Sequence, residues 1–567
     1  DLGRSRGLGD VYKRQIFSIF SFFLSLFFTF SIGEIFYNSI DGTDFYRYFR
    51  YIEYFNGTIE SPSREQGLFY FWFISLFIEL SEQFYIADKW EYIYSSAIQF
   101  ANFIFYLIGL LGLFLFMKIK KVNSTQIFLA LTLLNLFPPV FGGRLIMKPE
   151  MLAFALFPWV LLGIENYFKS KNIMSLLAIT PFLAVIATSK GTVFVLTGSA
   201  IVFIYIKKIK TIKISDLVIS VSIFLVMSYL LYQENLTING VSMLSHPELE
   251  SYLFRAPLSF IYNLSFAEIF TNPFRNVHAS SLFGITVIDL FGDYFNRYWD
   301  HERSLFLSNR KQVITFLDYP RRNLSVILSI LFFIFTFMKQ KSYTFSTYTK
   351  VYLIGVFILL LTSLGVFGLH FNPNKGDTVK THYYFFLLAF SFVFLIINFL
   401  RRSKANTQII TTVLAFLMFT FIVGFPKNYD DNFKYELSEK IPTTLSCRVT
   451  SSYFETITDI DIECLTKELA TCGTYEVFNE PIQHQDGYLI FQPDEFFQNT
   501  NLQDSDGNSV TVSGYAECLH YLSGGYTKIQ SNIVDDRTPQ INRIFLFLIL
   551  ASFFFLIFRN KSFIFNR

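Results

Sequence analysis

The chain has 567 residues, 52% of them hydrophobic and 16% charged, with 47 Lys and Arg against 44 Asp and Glu. A soluble chain of this length divides into domains of mixed composition, whereas here long uncharged apolar runs alternate with short basic clusters, which excludes a soluble multidomain protein. The formal net charge of +3 becomes informative only when split by location, and no nucleic-acid partner is expected. The 73 Phe residues fit AT-rich codon usage and lipid-facing helix surfaces better than an aromatic binding function.

Residues 1–15, DLGRSRGLGDVYKRQ, contain no Met, and DVYKRQ reads as a translated sequencing adaptor. This segment is set aside from fold reasoning. Beyond it, twelve apolar stretches approach the roughly 20 residues needed to cross a bilayer: 16–32, 95–117, 125–141, 151–166, 173–189, 191–206, 215–232, 323–338, 350–368, 383–399, 408–424 and 543–558. The expected fold is therefore mainly α, a polytopic transmembrane helical protein of about 12 spans. Residues 16–232 form an N-terminal membrane module of about seven spans, with a first external loop at 33–94. A large extracytoplasmic loop at 233–322 separates it from a C-terminal membrane module at 323–424. Residues 425–542 are polar and long enough for a small α+β external domain, and 543–567 supply the last span and a cytoplasmic tail.

Orientation follows from the connectors. Placing alternate loops in the cytoplasm collects Lys118, Lys120, Lys121, Lys169, Lys171, Lys207, Lys208, Lys210, Lys213, Lys339, Lys341, Arg401, Arg402, Lys404, Arg559, Lys561 and Arg567, with no Asp or Glu among them. That separation obeys the positive-inside rule. Glu34, Glu165 and Asp216 sit at helix ends rather than at mid-depth. The apolar stretch 67–80 is too short to span, and counting it would invert every later loop, so it reads as an interfacial or re-entrant helix. The patch 280–291 is expected along the membrane surface. All four cysteines, Cys447, Cys464, Cys472 and Cys518, fall in the 425–542 segment. An even set confined to one external domain reads as up to two disulfides with three pairings open; no Cys-x-x-Cys spacing favours zinc.

Candidate chemistry lies outside the cytoplasm. Asp41 and Asp44 follow the first span at head-group depth, where a carboxylate can take a proton from an attacking hydroxyl or simply end the helix in an Asx turn. The short loop 142–150 keeps Arg144, Lys148 and Glu150, the turn at 190 keeps Lys190, and 369–382 adds Lys380 and His382. Short external loops normally avoid cations, so their retention points to an anion such as a lipid phosphate. Asp289, Asp293 and Tyr294 combine acids with aromatic faces in the manner of sugar sites, although an amphipathic surface helix carries the same residues.

The arrangement resembles the GT-C superfamily of integral membrane glycosyltransferases: an acidic motif after the first span, a second long external loop after the seventh, and an external domain toward the C-terminus. The resemblance implies that Asp44 or Asp41 is the general base or helps hold a divalent metal ion, Mg or Mn. It also implies that Arg144, Lys148, Lys190 and Lys380 meet a donor phosphate, and that Glu150, Asp289, Asp293, Tyr294 and His382 bind substrate. The donor is then a polyprenyl-phosphate-linked sugar, the acceptor a lipid, glycan or protein, and the location a bacterial inner membrane with the long loops outside. This reading requires Asp44, Arg144 and Lys190 to converge. An O-antigen or exopolysaccharide polymerase shares the early acid-plus-tyrosine motif, and a flippase or transporter would show ionisable residues within spans or paired broken helices. Reporter fusions after residues 121 and 404 are expected to read as cytoplasmic and fusions within 425–542 as external; the reverse pattern would overturn the orientation.

Overall fold

The computed structural model describes residues 2–36, 48, 51–52, 54–55, 66–83, 90–239, 257–263, 266–271, 278, 280–291, 319–338, 343–364, 379–402, 407–428, 483–485, 488–490, 500–503, 509–512, 527–528 and 537–561. The protein is a mainly α, polytopic membrane bundle. In chain order its first helices are α1 (Leu2–Phe36), α2 (Phe69–Ser75), α3 (Ile78–Glu82), α4 (Trp90–Ile119), α5 (Ser124–Asn135), α6 (Pro138–Leu145) and α7 (Glu150–Ser170). There follow α8 (Met174–Leu177), α9 (Thr180–Ser189), α10 (Gly191–Tyr205), α11 (Ile214–Asn239), α12 (Ser259–Tyr262), α13 (Phe266–Thr271) and α14 (Leu282–Phe291). The last are α15 (Tyr319–Phe337), α16 (Tyr343–Thr349), α17 (Val351–Ser363), α18 (Thr381–Arg402), α19 (Thr407–Asn428) and α20 (Arg537–Arg559). Residues 2–15, set aside above, continue α1 without a break.

Each apolar stretch coincides with helix. Among the described residues six helices are long and apolar enough to cross a membrane, and five further apolar helices are shorter. The stretch 125–141 is not one straight span: α5 and α6 meet at a 60° bend. Phe137 is extended, and Pro138 and Pro139 follow it. Proline removes backbone donors and holds the preceding residue out of the helical region, which breaks the helix there. Within the 18-residue window of each span, α7 is 94% buried and α18 89%, whereas α11 is 11% buried. The first two are central struts; α11 lies at the lipid-facing periphery.

The stretch 67–80 is two short helices, α2 and α3, with Phe69 to Ile74 all buried. The first of them packs inside the bundle against α4 and α9, whereas Leu76 and Leu80 further on are exposed. Similarly, α14 is not an exposed surface helix: Ile285, Val287 and Leu290 are buried, and Phe291 meets Phe137 and Phe332 edge-on. Within 425–542 the described residues form short antiparallel pairs, with β1 (Gln483–Gln485) on β2 (Tyr488–Ile490) and β3 (Thr500–Gln503) between β4 (Ser509–Val512) and β5 (Thr527–Lys528). The four cysteines lie outside the described residues.

Small residues set the closest helix approach, as expected where neighbouring tails are as apolar as the helices. On α4, a Cβ at Gly109 would meet Phe154 at 2.5 Å, and one at Gly112 would meet Trp159 Nε1 at 2.6 Å. Trp159 Nε1 donates to the Ile108 carbonyl at 2.9 Å, so the contact is also a polar stitch. Gly112→Val is expected to cost about 1–3 kcal/mol by overpacking, read as a lowered thermal midpoint in detergent; an unchanged midpoint would mean that α4 and α7 pack otherwise.

Candidate functional site

At one end of the bundle four separate chain segments converge on a buried, charged cluster. Glu150 opens α7, where the helix dipole favours a carboxylate. Its side chain is fully buried, and Lys190 Nζ donates to Oε1 at 2.8 Å. Its Oε2 has no hydrogen-bonding partner among the described residues. Lys190 is the single extended residue between α9 and α10, which is how so short a turn aims a long side chain sideways at α7. Its ammonium also lies 4.6 Å from the centre of the Tyr383 ring.

Tyr383 is the second organiser. Lys380 Nζ lies 5.4 Å from the same ring, and His382 packs edge-on against it at 4.4 Å. A kink at Tyr384 (φ −119°, ψ 15°) sets this first turn of α18 off from the rest, and Tyr384 itself packs where Gly355 leaves room. On the other side, Lys148 Nζ lies 5.3 Å from the Tyr48 ring, and Tyr48 accepts from Gln66 Nε2 at 3.2 Å. Cations over ring faces are attracted by the ring quadrupole, more so when desolvated.

The loop carrying Lys148 is held by polar groups from the bundle interior. Asn102 Nδ2 donates to the carbonyls of Arg144 and Ile146, both at 2.9 Å. Tyr70 Oη donates to Asn102 Oδ1 at 2.8 Å and accepts from the Lys148 N–H at 3.1 Å. In addition, the Gly67 N–H donates to the Thr188 carbonyl at 2.7 Å, two residues before Lys190, and a Cβ at Gly67 would sit 2.3 Å from that oxygen. Only glycine fits this approach, which ties the segment 66–68 to the Lys190 turn.

Of the residues singled out in the sequence, Lys148, Glu150, Lys190, Lys380 and His382 come together. Arg144 does not join them through its own contacts. It lies in the last turn of α6, and its guanidinium donates to the Thr29 carbonyl at 2.7 Å and lies near the Thr29 hydroxyl at 3.5 Å. The rings of Phe103, Tyr106 and Phe141 surround it. Arg144 thus fastens α6 to α1. Its contacts run to α1 and these rings and not to Lys190, and Asp44 lies outside the described residues, so the expected convergence of the three is not met; a donor-phosphate reading has to rest on Lys148, Lys190 and Lys380 without Arg144. Asp289 belongs to α14, and Asp41, Asp44, Asp293 and Tyr294 lie outside the described residues. Sequence reasoning missed Asn102, Tyr70 and Tyr383; an amide pair, Gln99 and Asn102, inside the apolar run of α4 was the available signal.

No family model matches the chain, and no curated protein matches it. Among solved structures it is similar to the archaeal oligosaccharyltransferase AglB from Archaeoglobus fulgidus, captured with an inhibitory peptide and a dolichol-phosphate. The identity is 11% and the TM-score 0.33, over 84% of this chain and 62% of that one. The chain therefore spans less than two thirds of that protein, and a superposition this loose carries no functional argument. The fold and site define a class: a polytopic α-helical membrane protein with a buried cluster of lysines, tyrosines and one carboxylate at one end of its bundle.

Burying Glu150 without its partner is costly. Lys190→Met is expected to lower stability by about 3–5 kcal/mol, and Glu150→Leu added to it to recover most of the loss. Thermal midpoints in detergent check both; a double variant as unstable as the single one would show that the pair does not compensate its own charge.

Proposed function

We propose that the chain is a membrane glycosyltransferase of the GT-C kind, moving a sugar from a polyprenyl-phosphate carrier to a hydroxyl or other acceptor outside the cytoplasm. What supports the reading is the convergence of Lys148, Lys190 and Lys380 around Tyr48 and Tyr383, at one end of apolar helices. Ammonium groups held in a water-poor site stabilise charge developing on a leaving phosphate. Glu150 Oε2 supplies an acceptor for a sugar hydroxyl. Asp44 stands four residues before Tyr48 in the chain. In this reading Asp44, or Asp41, takes the acceptor proton as the acceptor oxygen attacks the anomeric carbon and the polyprenyl phosphate leaves.

The chemistry of a divalent ion would be to neutralise the same phosphate. Among the described residues no three His, Cys, Asp or Glu side chains gather, and Glu150 is already charge-compensated by Lys190, so no step is assigned to a metal. A transporter asks for paired broken helices; the described residues hold one bent pair, α5 with α6.

Turnover of a radiolabelled polyprenyl-phosphate sugar by the purified protein tests the reading. Lys148→Ala and Lys380→Ala are each expected to lower kcat on the order of 100-fold, the usual effect of losing one transition-state donor. Arg144→Lys should alter stability more than kcat. Asp44→Asn, Asp41→Asn and their double variant locate the base. Full activity in all three removes it, and undiminished turnover in the lysine variants would end the reading.

A further inference from the structure

The far end of α7 carries a second carboxylate, Glu165, about 22 Å along the helix from Glu150. Lys120 Nζ sits 2.6 Å from Glu165 Oε1, and Lys208 Nζ lies 3.7 Å from Oε2 with half of its side chain exposed. Lys171 ends α7 in a left-handed conformation, and its Nζ donates to the Thr211 carbonyl at 2.7 Å and hydroxyl at 3.1 Å. The ring of Phe168 lies under both Lys171 and Lys208, at 5.3 and 5.2 Å from their ammoniums. From α20, Arg559 donates to Ser170 Oγ. The acids facing these groups among the described residues are Glu165, already paired, and Asp216, which accepts from Tyr167 Oη at 2.9 Å.

Two features single out this patch. Its cations are held in place by ring faces, a carbonyl and two hydroxyls instead of swinging on free stems. Each one also stands at the end of an apolar helix: Lys120 after α4, Lys171 after α7, Lys208 after α10 and Arg559 at the end of α20. A group in that position meets lipid head groups at phosphate depth. The occupant is therefore a membrane lipid, and the positive excess selects an anionic one.

We propose that Lys171 and Lys208 form a binding site for the phosphate of an anionic phospholipid, with Phe168 as its apolar floor. The site is independent of the glycosyltransferase reading and stands or falls without it. Delipidated full-length protein, mixed with phosphatidylglycerol or phosphatidylcholine vesicles, is assayed for retained lipid by native mass spectrometry. Phosphatidylglycerol is expected to be retained several-fold better. The pair Lys171→Gln with Lys208→Gln should abolish that preference, and Lys171→Arg with Lys208→Arg should keep it. If the double Gln variant is not recovered, Lys208→Gln alone carries the test, because it leaves the Lys171–Thr211 contact intact. Equal retention of the two lipids overturns the proposal. So does an equal loss in the control Lys210→Gln with Lys561→Gln, which would mean diffuse attraction to any basic surface.

Discussion

Two carboxylates on one almost wholly buried helix set the terms for the rest of the bundle. An ionised carboxylate in a low-dielectric interior is tolerated only with a counter-charge in good geometry. Glu150 takes Lys190 from the turn between α9 and α10, and Glu165 takes Lys120 from the end of α4 and Lys208 from just beyond α10. Each pair joins α7 to a helix distant in sequence. Together they fix its axial position, since sliding α7 by one residue would offset both pairs by about 1.5 Å along the axis and spoil their geometry. Trp159 and the glycines of α4 then set how closely α7 can lie.

The interior repeats the same economy with uncharged groups. Asn135 accepts from Tyr106 Oη at 2.6 Å and donates to Ser25 Oγ at 2.8 Å, joining α5 to α4 and α1. Arg144 satisfies itself on the Thr29 carbonyl and three aromatic rings, and Asn102 holds the carbonyls at 144 and 146. In apolar surroundings an unmade hydrogen bond has no water to fall back on. These polar residues therefore specify partners more than they add stability, and one consequence is a rigid loop that presents Lys148.

The two ends of α7 then differ in character. At the Glu150 end the lysines lie over the rings of Tyr48 and Tyr383, and one of them, Lys190, is paired with the buried carboxylate. At the Glu165 end Lys208 and Lys171 are more open, and their rings and carbonyls hold them at the helix ends. The first geometry suits chemistry; the second suits attachment to a charged lipid surface.

Much of this was legible in the chain itself. Hydropathy is a local property, so the twelve apolar stretches emerged as helices, and the topological bias against external cations was enough to single out Lys148, Lys190 and Lys380. Glu150 and His382 were picked by their neighbourhood in the chain. Tertiary structure decided what depends on elements meeting at a distance. It turned Arg144 toward Thr29, because a guanidinium at the end of a helix broken by Pro138 and Pro139 reaches α1 rather than α9. It brought Tyr48 and Tyr383 between the lysines, and it drew Gly67 onto Thr188, a contact invisible in sequence because only the absent Cβ permits it. Composition thus determined which segments are apolar enough to enter a membrane. Packing alone determined which of the cations share a site, since direction at a helix end is set by neighbours from elsewhere in the chain.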